Sequence, residues 1–94
     1  MIKVSVLYPN GDEATFDMDY YRDTHMAIVE RTMRPSRIEI DHGDDGPYMA
    51  IGHLYFDSPD HHTEALGNMA EAGADIPNFT NVAPVVQTSR VVDR

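Results

Sequence analysis

Ile2 to Tyr8 alternates, with Ile2, Val4, Val6 and Tyr8 on one side and Lys3, Ser5 and Leu7 on the other. A period of two predicts a strand. Pro9-Asn10-Gly11-Asp12 ends it with turn chemistry. From Phe16 the period lengthens. Tyr21, His25, Ile28 and Thr32 fall at i, i+4, i+7 and i+11 and share a helical face at about 100° per residue. Met18 and Val29 flank that face, and Arg22, Asp23, Met26, Glu30 and Met33 lie off it. Asp17 is a good N-cap, Phe16 and Tyr21 have hydrophobic-staple spacing, and Pro35 stops the helix near Met33.

Ser36 to His42 alternates again, Ile38, Ile40 and His42 opposite Arg37, Glu39 and Asp41, and its polar face predicts an edge strand. Gly43-Asp44-Asp45-Gly46-Pro47 reads as a hairpin turn. Tyr48 to Phe56 is apolar on both faces, which places it centrally. One face carries Tyr48, Ala50, Gly52, Leu54 and Phe56, the other Met49, Ile51, His53 and Tyr55. Ser58-Pro59-Asp60 opens a second helix with a Ser cap, Pro at N1 and an acid behind it. Its expected apolar stripe is Leu66, Met69, Ala70 and Gly73. Residues 73 to 83 read as an irregular return, and Pro84 to Val92 as a last strand with valines on both faces.

The order is βαββαβ. With right-handed crossovers, two helices cover one face of a four-stranded antiparallel sheet, the ferredoxin-like α+β arrangement. The uncovered face keeps Leu7, Met49, Ile51, Tyr55 and one set of valines, an apolar patch large for a monomer. A second copy packed sheet to sheet is the simplest cover, so a homodimer is expected.

Composition narrows the function. The 94 residues make one domain, 1–94, and 41% hydrophobic content is that of a globular chain. A net charge of −9 argues against nucleic acid and anionic membranes as partners. The absence of cysteine excludes disulfides, thiolate nucleophiles and Cys-ligated metal, and fits a cytoplasmic protein. The opening residues are too short and alternating for a signal peptide, and no apolar run reaches transmembrane length.

His25 is the main candidate for chemistry. An imidazole in the apolar stripe needs either a polar partner on the sheet or a pocket in front of it. Its near-neutral pKa suits proton transfer to or from a phenol, enol or α-carbon. Ala50 and Gly52 leave space on the facing strand, so a pocket for a small ligand is expected there. Tyr21 reads as packing first and pocket wall second, and Tyr20 as a rim residue whose hydroxyl could bond a ligand. Tyr8 and Phe56 are core residues that could also close the pocket mouth. His53 and Tyr55, on the other sheet face, form either a hydrogen-bonded pair in a dimer interior or a second candidate site. His61 and His62, adjacent at a helix start, read as solvated rather than as a metal site. No metal and no cofactor is expected. A haem would need one axial histidine, for which only His25 or His53 could serve.

Three blocks together resemble the EthD family: Met1-Ile2-Lys3-Val4-Ser5-Val6-Leu7-Tyr8-Pro9, then Phe16-Asp17 with Tyr20-Tyr21 and His25-Met26, then Asp75-Ile76-Pro77-Asn78-Phe79-Thr80-Asn81-Val82-Ala83-Pro84. These are small dimeric α+β barrel proteins named after a gene for ethyl tert-butyl ether degradation. Ala27 departs from the pattern, because similar sequences often carry Pro two places after the histidine. The resemblance implies a catalytic His25 and leans towards an oxidoreductase without a defined reaction. Similar barrels include cofactor-free quinone-forming monooxygenases, lactone isomerases, dehydratases and haem-binding enzymes. The expected function is a cofactor-independent, monooxygenase-like enzyme for a small apolar or aromatic compound. An isomerase or dehydratase with the same proton shuttle, and a non-enzymatic ligand-binding accessory protein, are the alternatives.

Overall fold

The computed structural model describes Met1–Arg94. Strand β1 (Ile2–Pro9) leads into a helix α1 over residues 18–33. Strands β2 (Arg37–His42) and β3 (Tyr48–Phe56) form a hairpin. Two short helices follow, α2 (Pro59–Leu66) and α3 (Ala70–Asp75), then a 3-10 turn Ile76–Asn78 and strand β4 (Val85–Arg90). The sheet order is β2-β3-β1-β4, every neighbour antiparallel. This is the ferredoxin-like α+β arrangement expected from the pattern.

The parity of the strands holds. Val4 pairs with Leu54, Val6 with Gly52 and Tyr8 with Ala50, and these residues face the helices. Together with Tyr21, Met26, Val29, Phe56, Ala65, Ala72 and Phe79 they form most of the core. β2 is an edge strand, and β3 and β1 share the centre of the sheet. The predicted caps also form. The Asp17 carboxylate accepts from the Tyr20 N–H at 3.1 Å, and the Ser58 hydroxyl from the His61 N–H at 3.1 Å. Phe16 packs on Tyr21 with ring centroids 4.9 Å apart.

The helical stripe differs from the expectation after His25. α1 is α-helical over Met18–Tyr20, takes a π turn over Tyr21–His25, and returns to α over Met26–Met33. The Met26 N–H bonds the Tyr21 carbonyl, an i→i+5 closure. One extra residue in the turn rotates everything beyond it. The buried face therefore runs Tyr21, His25, Met26, Val29, Met33, and Ile28 and Thr32 are only half-buried. Met26 and Met33, expected off the face, are core.

The second helix also departs from its expected stripe. It breaks at Gly67, which caps α2, and resumes at Ala70. Leu66 and Met69 are exposed, and Ala65 and Ala72 carry the burial. Gly73 and Asp75 are helical rather than part of an irregular return. β4 ends at Arg90, leaving Val91 and Val92 exposed beyond it.

The open sheet face is not one continuous apolar patch. One transverse row carries Ile51, Leu7 and Val85, but the next two carry His53, Ser5 and Gln87, then Tyr55, Lys3 and Ser89. No helix is long and apolar enough to cross a membrane.

Candidate functional site

The partner of His25 is a carboxylate on α3, not a group on the sheet. His25 Nδ1 lies 2.9 Å from Asp75 Oδ2, and both side chains are more than nine-tenths buried. The other oxygen, Asp75 Oδ1, accepts from the Tyr20 hydroxyl at 2.6 Å and from Asn78 Nδ2 at 3.0 Å. A carboxylate with three donors is held in place and held ionised. Burial pushes the Asp75 carboxyl up, but the bonds from Tyr20, Asn78 and His25 outweigh it, and the net direction is down. Burial pushes the His25 imidazole below its ordinary value, against the opposing pull of Asp75. The imidazole is therefore neutral near pH 7. An ionised carboxylate at Nδ1 requires a proton there, which leaves the Nε2 lone pair free.

Stacking fixes the ring as well. The Tyr21 ring lies nearly parallel to the imidazole at 5.3 Å, and the Phe79 ring tilts against it at 4.6 Å. Tyr8 and Phe16 close the aromatic cluster around Tyr21.

A cavity of about 130 Å³ lies beside this cluster, between α1, the sheet and α3. His25, Tyr8 and Tyr21 line it, with apolar walls from β1, β3 and the helices; no lysine, arginine or carboxylate is among its walls. Its outer walls include Leu66, Met69 and Val86, all substantially exposed, so the mouth is apolar too. The space expected over Gly52 is occupied by Tyr21. A Cβ on Gly52 would sit 2.1 Å from the Tyr21 hydroxyl and 3.2 Å from Met26 Cε.

The candidates from the sequence thus separate. His25, Tyr8 and Tyr21 line one cavity. Tyr20 does not line it; its hydroxyl acts on Asp75. Phe56 is fully buried elsewhere, under α2 against His61 and His62, and does not close the mouth. His53 and Tyr55 sit on the opposite face and do not bond each other. His53 bridges Ser5 at 3.2 Å and Asp41 at 2.7 Å, and the Tyr55 hydroxyl donates to Glu39 at 2.8 Å. His61 is half-exposed and also bonded within the chain: it accepts from the Asp57 N–H and donates to the Arg34 carbonyl at the end of α1. No group of three His, Asp or Glu side chains converges to hold a metal ion.

Asp75 is the partner of His25 that reading the sequence missed. The available signal was the imidazole itself, which demanded a polar partner, and the block starting at Asp75 that carries the family resemblance.

The fold recurs in known structures. An EthD-like protein from Ralstonia eutropha JMP134 is 35% identical, with 99% of this chain and 94% of that chain aligned at a TM-score of 0.87. An ethyl tert-butyl ether degradation (EthD) family protein from Bacillus halodurans C-125 shares the fold at 14% identity and a TM-score of 0.71, over 98% of this chain and 99% of that one. A NIPSNAP family protein from Agrobacterium tumefaciens C58 does so at 18% identity and 0.63, over 98% and 92%. No family model and no curated protein matches the chain.

Proposed function

This chain belongs to the EthD family, and we propose that it is a cofactor-independent proton-transfer enzyme acting on a small, apolar substrate, with His25 as general base and then acid. The observation that carries this is the His25–Asp75 pair beside an apolar cavity. Asp75 orients the ring and stabilises the imidazolium formed when Nε2 takes a proton. Tyr20 and Asn78 hold Asp75 rather than touching substrate. The walls are apolar and supply no charge, which favours a neutral ring or branched hydrocarbon bearing one polar atom. If the deprotonated substrate itself reduces oxygen, the outcome is a monooxygenase-like oxidation; isomerisation or dehydration needs only the proton shuttle.

A homodimer through the open sheet faces is part of the same reading, supported by the uncovered row Leu7, Ile51 and Val85. Light scattering at micromolar concentration should give twice the chain mass; a monomer there overturns it.

The test of the site pairs His25→Ala with wild type. Binding of 4-fluorophenol is followed by ¹⁹F NMR, and oxygen uptake with hydroquinone or small phenols is measured beside it. Turnover lost with binding retained is the expected result. Rates unchanged by His25→Ala overturn the base assignment. A wild type that binds the phenol but turns over nothing favours the accessory ligand-binding protein instead.

A further inference from the structure

Two tyrosine hydroxyls in the site share one proton to spare. The hydroxyls of Tyr20 and Tyr55 donate to carboxylates, Asp75 and Glu39. Those of Tyr8 and Tyr21, on residues only 1% exposed, bond each other. That bond uses one of their two protons, and the other waits for an acceptor that a ligand can supply. Their placement is specific. Gly52 lacks the side chain that would collide with the Tyr21 hydroxyl, and Ala50, the strand partner of Tyr8, is the next residue on that face. The two rings meet edge to face at 5.5 Å, and Tyr21 stacks on His25. His25, Tyr8 and Tyr21 thus line the same space.

We propose that the Tyr21–Tyr8 hydroxyl pair forms an oxyanion hole beside His25, so that the substrate of this site is a small neutral carbonyl compound that reacts through its enolate. This rests on His25 being the base. The α C–H bond of the substrate breaks, and its proton goes to His25 Nε2. The bonding pair forms a C=C bond to the carbonyl carbon, and the carbonyl π pair moves onto oxygen. That oxygen accepts a hydrogen bond from the free proton of the hydroxyl pair, the second hydroxyl donating to the first, and both keep their protons. The imidazolium then returns the proton to the same carbon, or to a conjugated one, which isomerises the substrate. No oxidant or reductant enters.

Two further observations agree. Burial pushes the Tyr8 hydroxyl up to about 12 and the Tyr21 hydroxyl higher still, so both remain donors across the working pH range. Donors held in a dry site at the point where charge develops are the strongest form of this catalysis. The cavity of about 130 Å³ is of the size that admits one six-membered ring.

The test uses cyclohexanone in D₂O with the full chain, following loss of the α-proton signals by ¹H NMR. Wild type should exchange faster than buffer and faster than His25→Ala. Tyr21→Phe and Tyr8→Phe should each lower kcat by roughly 10²-fold with KM changed little. Circular dichroism checks that both variants fold. As a second readout, binding of para-substituted phenols should tighten with their acidity in wild type, and the trend should flatten in the double Phe variant. Exchange that needs His25 but ignores both tyrosines overturns the oxyanion hole and leaves the base in place. No exchange by wild type overturns the enolate reading; the hydroquinone assay, which needs no carbonyl, then judges His25 separately.

Discussion

Asp75→Asn is the sharpest single perturbation of this site. The substitution keeps the size of the side chain and removes its charge. The new amide oxygen can still accept from the Tyr20 hydroxyl and from Asn78, which bond the same carboxylate oxygen in the wild type. Its NH₂ then faces His25 Nδ1, where Oδ2 stood at 2.9 Å. Two N–H donors cannot share that contact, so the imidazole moves its proton to Nε2 and accepts at Nδ1. The number of hydrogen bonds is preserved, but the lone pair now points at the amide instead of the cavity. A base in the wrong tautomer loses about 10⁴-fold in kcat. Stability changes less. A bond to an ionised acceptor is worth about 1 kcal/mol more than a neutral one. Asn78 is exposed and loses little, so the bonds from Tyr20 and His25 set the loss at about 2 kcal/mol. Urea unfolding followed by circular dichroism measures the second figure, ¹⁵N NMR of the ring reports the tautomer, and the turnover assay reports the first. An imidazole still protonated on Nδ1 in the variant refutes the tautomer argument. A kcat within a few-fold of wild type refutes the assignment of the pair.

Gly52→Ala drives a methyl into the Tyr21 hydroxyl and should cost about 1–3 kcal/mol in urea unfolding; the cost should shrink in a Tyr21→Phe background, and an unchanged cost would place the strain elsewhere. Stability should fall on acidification in two steps. His25 has its folded pKa below the unfolded value, so its contribution is full above about pH 6.5 and is lost as pH falls from there towards the folded pKa. Asp75, also lowered on folding, contributes above about pH 3.9 and loses that contribution as pH falls through its folded pKa. Unfolding curves across pH should lose the upper step in His25→Gln; persistence of that step would assign it to another histidine.

Period-two patterns were legible residue by residue. The faces of β1 and β3, the edge position of β2, and the caps at Asp17 and Ser58 all follow from local geometry, and the structure keeps each of them. An alternating strand has no freedom to place Val4 and Ser5 on the same side. A helix has such freedom. The π turn at Tyr21–His25 adds one residue, and the same sequence then buries Met26 and Met33 in place of Ile28 and Thr32. Nothing in the local spacing marks that turn, whose Tyr21 packs over Gly52 and stacks on His25.

The histidine at the centre of the helix was visible from its place in an apolar stripe, and so was its need for a partner. Which residue answers that need was not. Asp75 lies fifty positions away along the chain, on a helix that starts at Ala70 after the chain breaks at Gly67. The sequence by itself determined the order of the elements, the faces of the strands and the presence of one ionisable group in the core, since these depend on neighbours a few residues apart. Tertiary structure alone decided the carboxylate behind His25, the turn of the Tyr20 hydroxyl towards it and the departure of Phe56 from the site, since these depend on how separate elements are brought together.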